Sequence, residues 1–101
     1  MNKEEIIGIL EGKRWLVEMD ASHLSYTFKK GKVTILPLKE ECEYMVHEII
    51  ENPDTFRMDI FRAKVTEVYD ICAIGDSHVL LANHTADEKL GTYKILRETS
   101  A

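Results

Sequence analysis

The sequence predicts an all-β protein whose antiparallel meander of about seven or eight strands closes into a small barrel, behind one short N-terminal helix. The clearest observation is residues 24–35, where apolar and polar residues alternate on both sides of a Lys-Gly break. This pattern is typical of two half-buried strands joined by a turn. Similar segments recur at roughly eight-to-twelve-residue intervals almost to the C-terminus. An α+β fold with an open antiparallel sheet is the alternative.

Length and composition limit the class of protein. At 101 residues the chain has room for one core, so we expect a single domain over residues 1–101, with the helix in 1–11 and the barrel in 13–98. An apolar content of 45% is ordinary for a globular protein. The net charge of −5 argues against a nucleic-acid partner, since binding phosphates requires a basic surface. No apolar run reaches the roughly 20 residues of a membrane span.

The two cysteines bear on the cellular compartment. Cys42 and Cys72 fit no metal or redox spacing, so we expect two thiols in a reducing environment. The N-terminus lacks the apolar segment of a secretory signal, which favours a cytoplasmic protein. The alternative is an exported protein whose signal has been removed, in which a Cys42–Cys72 disulfide would be allowed.

The first residues predict a helix over 2–10. Asn2 suits the N-cap, acidic residues follow in the first turn, and Ile6, Ile7 and Leu10 fall on one helical stripe that ends at Gly12. Two turns of helix are not stable alone. We therefore expect this helix to cover an open end of the barrel.

From Gly12 onward the apolar period is two, which predicts strands. Residues 42–50 are read as the fourth strand, although a helix also fits them. Turn chemistry is strong at residues 52–54 and 75–77, and the longest loop is expected at 83–91. The side chains expected to face one way along their strands are Trp15, Val17 and Met19; Tyr26, Phe28, Val33 and Ile35; and Phe56, Met58 and Ile60. The last strand is expected to contain Tyr93, Ile95 and Arg97.

Glu67 is the unusual residue of this pattern. Its strand parity groups it with Val65, Tyr69 and Ile71, on the face that we read as inward. A carboxylate that points into a barrel must pair, become protonated or meet a ligand. A β-bulge at Thr66, which would turn Glu67 to solvent, is the alternative.

Aromatic side chains are spread about one per strand, mostly on the inward face. They indicate either an ordinary core or a pocket with aromatic walls and a few polar contacts. Our first hypothesis is a barrel that binds a small apolar or amphipathic molecule without catalysis. The residues expected to line its interior are Trp15, Tyr26, Phe28, Tyr44, Phe56, Met58, Glu67, Tyr69, Leu81 and Tyr93.

Three segments together resemble the small lipocalin-like proteins of bacteria, which are calycin-type barrels. They are Gly12-Lys13-Arg14-Trp15 after a short helix, the hairpin at residues 24–32, and a back half with Tyr69-Asp70-Ile71, 75–81 and 93–97. In lipocalins an arginine of the last strand covers the tryptophan of the first. The resemblance implies that Arg97 covers Trp15 here, and such a pair contributes about 0.5–2 kcal/mol.

Residues that could carry chemistry fit no known pattern. His78 and His84, with Cys72 or Asp76, match no structural zinc spacing. The Cys72–His78 pair could approach across a turn, but no glycine-rich elbow or phosphate loop accompanies it. We expect no catalytic residue, metal or cofactor. An enzyme that uses Glu67 or Cys72–His78 is a third interpretation.

A second hypothesis is a packed barrel that serves as an interaction module, most simply a homodimer. It rests on a surplus of apolar residues on the nominally wet face. They are Leu16, Leu36, Leu38, Met45, Ile49, Phe61, Val68 and Ile74.

Overall fold

The computed structural model describes residues 1–18, 20–85 and 92–99. Within these ranges the chain forms one helix, α1, and eight strands, β1 to β8. Their bounds are α1 Lys3–Leu10, β1 Arg14–Val17, β2 Ser25–Lys29, β3 Lys32–Leu36, β4 Glu40–Ile49, β5 Asn52–Phe61, β6 Thr66–Ile74, β7 His78–Asn83 and β8 Tyr93–Thr99.

The strands form a closed barrel in which every strand is antiparallel to the next one along the chain. The last strand, β8, returns to pair with β1, and Leu16 lies opposite Arg97 while Val17 lies opposite Leu96. Within the described ranges each strand therefore has a neighbour on both sides, which stabilises a sheet of this size. The predicted all-β meander barrel is confirmed, and the open-sheet alternative is not adopted.

The connection between β2 and β3 is a two-residue hairpin turn. Its central residues, Lys30 and Gly31, have φ of 50° and 78°. Positive φ at both positions is the signature of the turn type that matches the twist of a hairpin, and glycine adopts it without steric cost. The turn places Lys29 directly opposite Lys32.

The core is built from alternate residues of the strands together with one stripe of α1. The inward predictions for Tyr26, Phe28, Val33 and Ile35 are confirmed, since all four are solvent-inaccessible. The other apolar members of the core are Ile6, Leu10, Trp15, Val17, Tyr44, Val46, Phe56, Met58, Ile60, Tyr69, Val79, Leu81 and Leu96.

Helix α1 closes one end of the barrel, as predicted. Asn2 caps it by accepting from the Glu5 amide at 2.9 Å, and Ile6 and Leu10 are buried. The indole Nε1 of Trp15 donates to the Leu10 carbonyl at 2.9 Å, which joins the helix to β1.

Glu11 fixes the same end of the barrel to the β2–β3 turn. Its carboxylate accepts from the amides of Lys30 at 2.9 Å and Gly31 at 3.0 Å, and from the Tyr44 hydroxyl at 2.6 Å. Because the meander alternates direction, the β3–β4 and β5–β6 connections lie at the opposite end. We call that opposite end the mouth.

Local details differ from the sequence prediction in β4 and β5. The segment predicted at residues 42–50 is a strand and not a helix, with β4 ending at Ile49, and the turn that follows lies at residues 50–51 rather than 52–54. Asn52 already belongs to β5 and is paired with Ile49. The sequence does not indicate this start, because the apolar alternation of β5 begins only at Phe56.

The strand parity of β6 is interrupted, although not at Thr66. The register between β6 and β7 shifts between Ile71 and Ala73, and Ala73 is exposed as a result. Glu67, upstream of the shift, stays on the inward face opposite Ile60.

The last strand forms as predicted, but the inward position of Tyr93 is wrong: Leu96 is buried, whereas Tyr93, Ile95 and Arg97 are exposed. The prediction for Met19 and most of the predicted loop at 83–91 lie outside the described residues.

Cys42 and Cys72 are free thiols. Helix α1 has eight residues, and no helix among the described residues has the length and apolar character needed to cross a membrane.

Candidate functional site: a charged cluster at the barrel mouth

Polar and charged side chains gather inside the mouth of the barrel. Tyr26, Glu67 and Lys94 are each the second residue of an even-numbered strand, β2, β6 and β8, so all three enter the barrel at the same end. We call the following group the mouth cluster: Tyr26, Glu40, Arg62, Glu67, Tyr69 and Lys94.

Glu67 is the centre of the mouth cluster, and only 5% of it is exposed. Its Oε1 accepts from the Tyr69 hydroxyl at 2.6 Å and from the Tyr26 hydroxyl at 3.1 Å. The ammonium of Lys94 donates to the same two hydroxyls, at 2.8 Å to Tyr69 and 3.0 Å to Tyr26. Lys94 Nζ also lies 3.7 Å from Glu67 Oε1, so the charge of the carboxylate is compensated directly and through both phenols.

Arg62 joins Glu67 to the rim of the mouth. Its Nη1 donates to Glu67 Oε2 at 2.8 Å, and its Nη2 donates to Glu40 Oε1 at 2.7 Å. Glu40 is further held by the Ala63 amide at 3.4 Å. The two carboxylates and the two cations, Arg62 and Lys94, balance one another, as buried charges require.

These contacts shift the ionisation of the groups. Burial opposes the charge on Glu67, but Lys94, the Tyr69 hydrogen bond and Arg62 together outweigh it and hold the pKa of Glu67 below its usual value. The hydrogen bond to Glu40 raises the pKa of Arg62. Burial, with Glu67 close by, raises the pKa of Tyr26. At neutral pH Glu67 and Arg62 are therefore ionised, whereas the Tyr26 hydroxyl keeps its proton and donates to the carboxylate.

A depression of about 450 Å³ lies at the mouth. Its lining combines the charged pair Arg62 and Glu40 with apolar surface from Leu38 and Val65. Leu38 is 55% exposed and Val65 40% exposed, so both offer apolar contacts to a bound molecule. Ala63 and Lys64 complete the lining. The volume is within the usual size range of small-molecule sites.

The residues predicted to line a ligand pocket fall into three groups. Tyr26, Glu67 and Tyr69 come together in the mouth cluster. Tyr93 is 64% exposed on the outer wall, so its predicted inward position is wrong. The physical reason is the register of β8, which places Tyr93 opposite Ala82 and turns Lys94 inward. The others are packed in the buried core: Trp15, Phe28, Tyr44, Phe56, Met58 and Leu81.

Sequence reasoning missed Glu40, Arg62 and Lys94. A usable signal existed for Lys94, since an inward carboxylate at Glu67 requires an inward cation. Lys94 also lies two residues before the apolar Leu96, hence on the same face of its strand. Arg62 lies in the connection after β5, where the sequence has no strand alternation from which its inward position could be predicted.

The expected cover of Trp15 by Arg97 is wrong. Arg97 lies on the outer wall opposite Leu16, and its Nε is 3.3 Å from Glu18 Oε1. Trp15 faces the interior, and the cation near its ring is Lys13, whose Nζ is 5.6 Å from the ring centroid. A residue paired with Leu16 cannot reach a side chain on the opposite face.

The candidate nucleophile pair is also separated. The Cys72 thiol donates to the Asp70 carbonyl at 3.7 Å, whereas the His78 ring contacts Ser77 and Glu18. His84 Nε2 lies 2.9 Å from Asp70. In the described part of the chain, no three His, Cys, Asp or Glu side chains are grouped so as to hold a metal ion.

Comparisons with protein-family models, with curated proteins and with solved structures find no match to this chain.

Proposed function

We propose that the protein binds one small amphipathic molecule at the barrel mouth and performs no chemistry on it. The observation that carries this proposal is the 450 Å³ depression in which exposed Leu38 and Val65 stand beside the Arg62–Glu40 pair. Binding sites commonly combine an apolar wall with a few fixed polar groups. The pairing of β8 with β1 closes the barrel, and a closed barrel is the architecture that the resemblance to lipocalin-like proteins implies. This agreement supports the proposal.

The packing below the mouth argues for a ligand at the rim rather than deep in the barrel. Phe28, Met58 and Leu81 are fully buried against their neighbours, and a molecule placed among them would have to displace core side chains. The mouth cluster is electrically balanced, so a ligand needs no net charge to bind above it. Its polar end would lie on Arg62 and Glu40, and its apolar part on Leu38 and Val65.

Titration with dansyl-labelled undecanoic acid tests this proposal. We expect saturable binding of one dye per chain. Val65→Glu places a charge on the apolar rim and should weaken dye binding by at least tenfold. The control is Met45→Glu, which introduces the same charge on the outer wall at a residue that is 50% exposed, and it should bind like the unmodified protein. Equal affinities for the two variants, or no saturable binding, would contradict the proposal.

A contact quencher distinguishes the mouth from the interior. Trp15 lies beside α1, at the end of the barrel away from the mouth, and is fully buried. A brominated fatty acid that displaces the dye should leave Trp15 fluorescence almost unchanged if it binds at the mouth. Strong quenching of Trp15 would instead place the ligand among the core aromatic residues.

A second candidate function is homodimerisation through the outer wall. Met45 on β4 and Phe61 on β5 are both outward and exposed, and they lie on neighbouring strands, since Glu43 pairs with Phe61 and Met45 with Asp59. Sedimentation should then show a species of twice 11.6 kDa that Phe61→Lys converts to the monomer. A single 11.6 kDa species at high concentration would exclude this function.

A further inference from the structure

Basic side chains collect on the outer wall near the α1 end, away from the mouth. We call Lys13, Arg14, Lys29, Lys30 and Lys32 the basic face. They are five of the 13 lysines and arginines in a chain whose net charge is −5. A concentration of one sign against the overall charge is unusual for a surface that has only to be solvated.

The strand register sets these charges against one another. The two-residue turn at Lys30–Gly31 pairs Lys29 directly with Lys32 across β2 and β3. Like charges opposite each other on one face of a sheet are destabilising. In the free protein this arrangement therefore has an electrostatic cost, which a bound anion would relieve.

Carboxylates lie around the basic face, but they form few ion pairs with its cations, and Glu11 at the β2–β3 turn accepts from the backbone amides of Lys30 and Gly31. Lys32 Nζ lies 3.6 Å from Glu41, but both side chains are about 60% exposed, so the pair contributes little. Arg14 donates to the Ser25 hydroxyl at 3.3 Å. Across the described ranges, Arg14, Lys29 and Lys30 form no ion pair.

Two grooves meet on the basic face, and hydroxyl groups stand between the cations. Thr27 is paired with Arg14 on one side and with Thr34 on the other. One groove, of about 410 Å³, lies over β2 and β3, and the other, of about 790 Å³, lies over β1 and β2. Thr27 and Lys29 line both grooves.

We infer that the basic face binds a soluble molecule with two or more phosphate groups. Ammonium, guanidinium and threonine hydroxyl groups are the usual side-chain donors to phosphate oxygens. Arg14, Lys29 and Lys32 are distributed over three adjacent strands, whose spacing is about 4.8 Å, so the cations span a width that two or more linked phosphates would fill. The acidic remainder of the surface, including Glu41 and Glu98 at the groove edges, disfavours a long polyanion such as nucleic acid.

Calorimetric titration with tripolyphosphate at low ionic strength tests this inference. We expect one site per chain and at least tenfold weaker binding in the double variant Lys29→Gln/Lys32→Gln. The control, Lys39→Gln, removes one charge from an exposed residue of the β3–β4 connection at the other end of the barrel and should leave the affinity unchanged. No binding, or equal loss in the control, would overturn the inference.

Two further probes define the ligand class. Inorganic phosphate should bind at least tenfold more weakly than tripolyphosphate, because it can contact only part of the basic face. Equal affinities would overturn the requirement for several phosphates. Vesicles that contain phosphatidylinositol bisphosphate should not retain the protein under conditions in which tripolyphosphate binds. Retention on vesicles without tripolyphosphate binding would exclude a soluble ligand.

The variants also report on folding. Removing the opposed Lys29 and Lys32 charges should leave the melting temperature unchanged or slightly raised in the absence of ligand. Tripolyphosphate should raise the melting temperature of the unmodified protein and should not change the melting temperature of the double variant. An equal rise in both proteins would contradict binding at the basic face. This inference is independent of the ligand proposed at the mouth, and these variants should leave the dye titration unchanged.

Discussion

Lys94 Nζ lies 3.7 Å from Glu67 Oε1 inside the barrel mouth, and both side chains also contact the hydroxyls of Tyr26 and Tyr69. The two charged residues come from β8 and β6, which are not neighbours in the sheet. Their contact crosses the barrel interior. A buried carboxylate is tolerated here because a cation from another strand meets it.

Replacing Lys94 tests that dependence. Lys94→Met keeps the length of the side chain but leaves Glu67 with Arg62 as its remaining cation. We expect a loss of about 2 kcal/mol in the free energy of unfolding, because the buried carboxylate then keeps only one of its two cations. Urea unfolding followed by circular dichroism measures it. Lys64→Met, at an exposed residue of the rim, is the control and should change stability by less than about 0.5 kcal/mol.

The low pKa of Glu67 predicts sensitivity to acid. A carboxyl group whose pKa is lower in the folded state stabilises the fold above its unfolded pKa, about 4.3 for Glu, and this contribution is lost as the pH falls through the folded pKa. Stability should therefore decline below about pH 4. Glu67→Gln should be less stable at pH 7 and should lose less stability on acidification. Parallel pH profiles for the two proteins would show that Glu67 is not the responsible group.

Arg97 is expected to contribute little to stability. It is 53% exposed in its side chain and contacts Glu18 on the outer wall, and exposed ion pairs are worth about 0–1 kcal/mol. Arg97→Ala should lower the melting temperature by no more than a few degrees. Trp15→Phe, which removes the hydrogen bond to the Leu10 carbonyl, should have the larger effect. A larger loss of stability in Arg97→Ala than in Trp15→Phe would contradict the outward position of Arg97.

Two glycine replacements should act in opposite directions. Gly31 has φ of 78° in the β2–β3 turn, so Gly31→Ala forces a side chain into the left-handed region and should cost about 1 kcal/mol or more. Gly8 lies within α1 with open space around the position of a Cβ, and Gly8→Ala should stabilise the helix by up to about 1 kcal/mol. Thermal melts of both variants measure the difference, and a stabilising Gly31→Ala would contradict the turn geometry.

Patterns that depend on neighbouring residues were visible in the sequence. The alternation in 24–35 predicted β2, β3 and the turn between them, because side chains of a strand alternate faces and a Lys-Gly pair suits a tight turn. The capping pattern at Asn2 likewise predicted α1, and the apolar stripe of so short a helix predicted that it covers one end of the barrel. Parity grouped Glu67 with the inward face, but only the register of β6 against β5 excluded the alternative of a bulge at Thr66.

Relations between strands that are distant in the chain were decided only by the tertiary structure. The register of β8 against β7 and β1 turned Lys94 inward and Tyr93 and Arg97 outward, since a shift of one residue exchanges the two faces of a strand. The contact of Arg62 with Glu40 depends on two loops that meet at the mouth. Sequence periodicity specifies how each strand divides its side chains, but the closed sheet determines which of them meet.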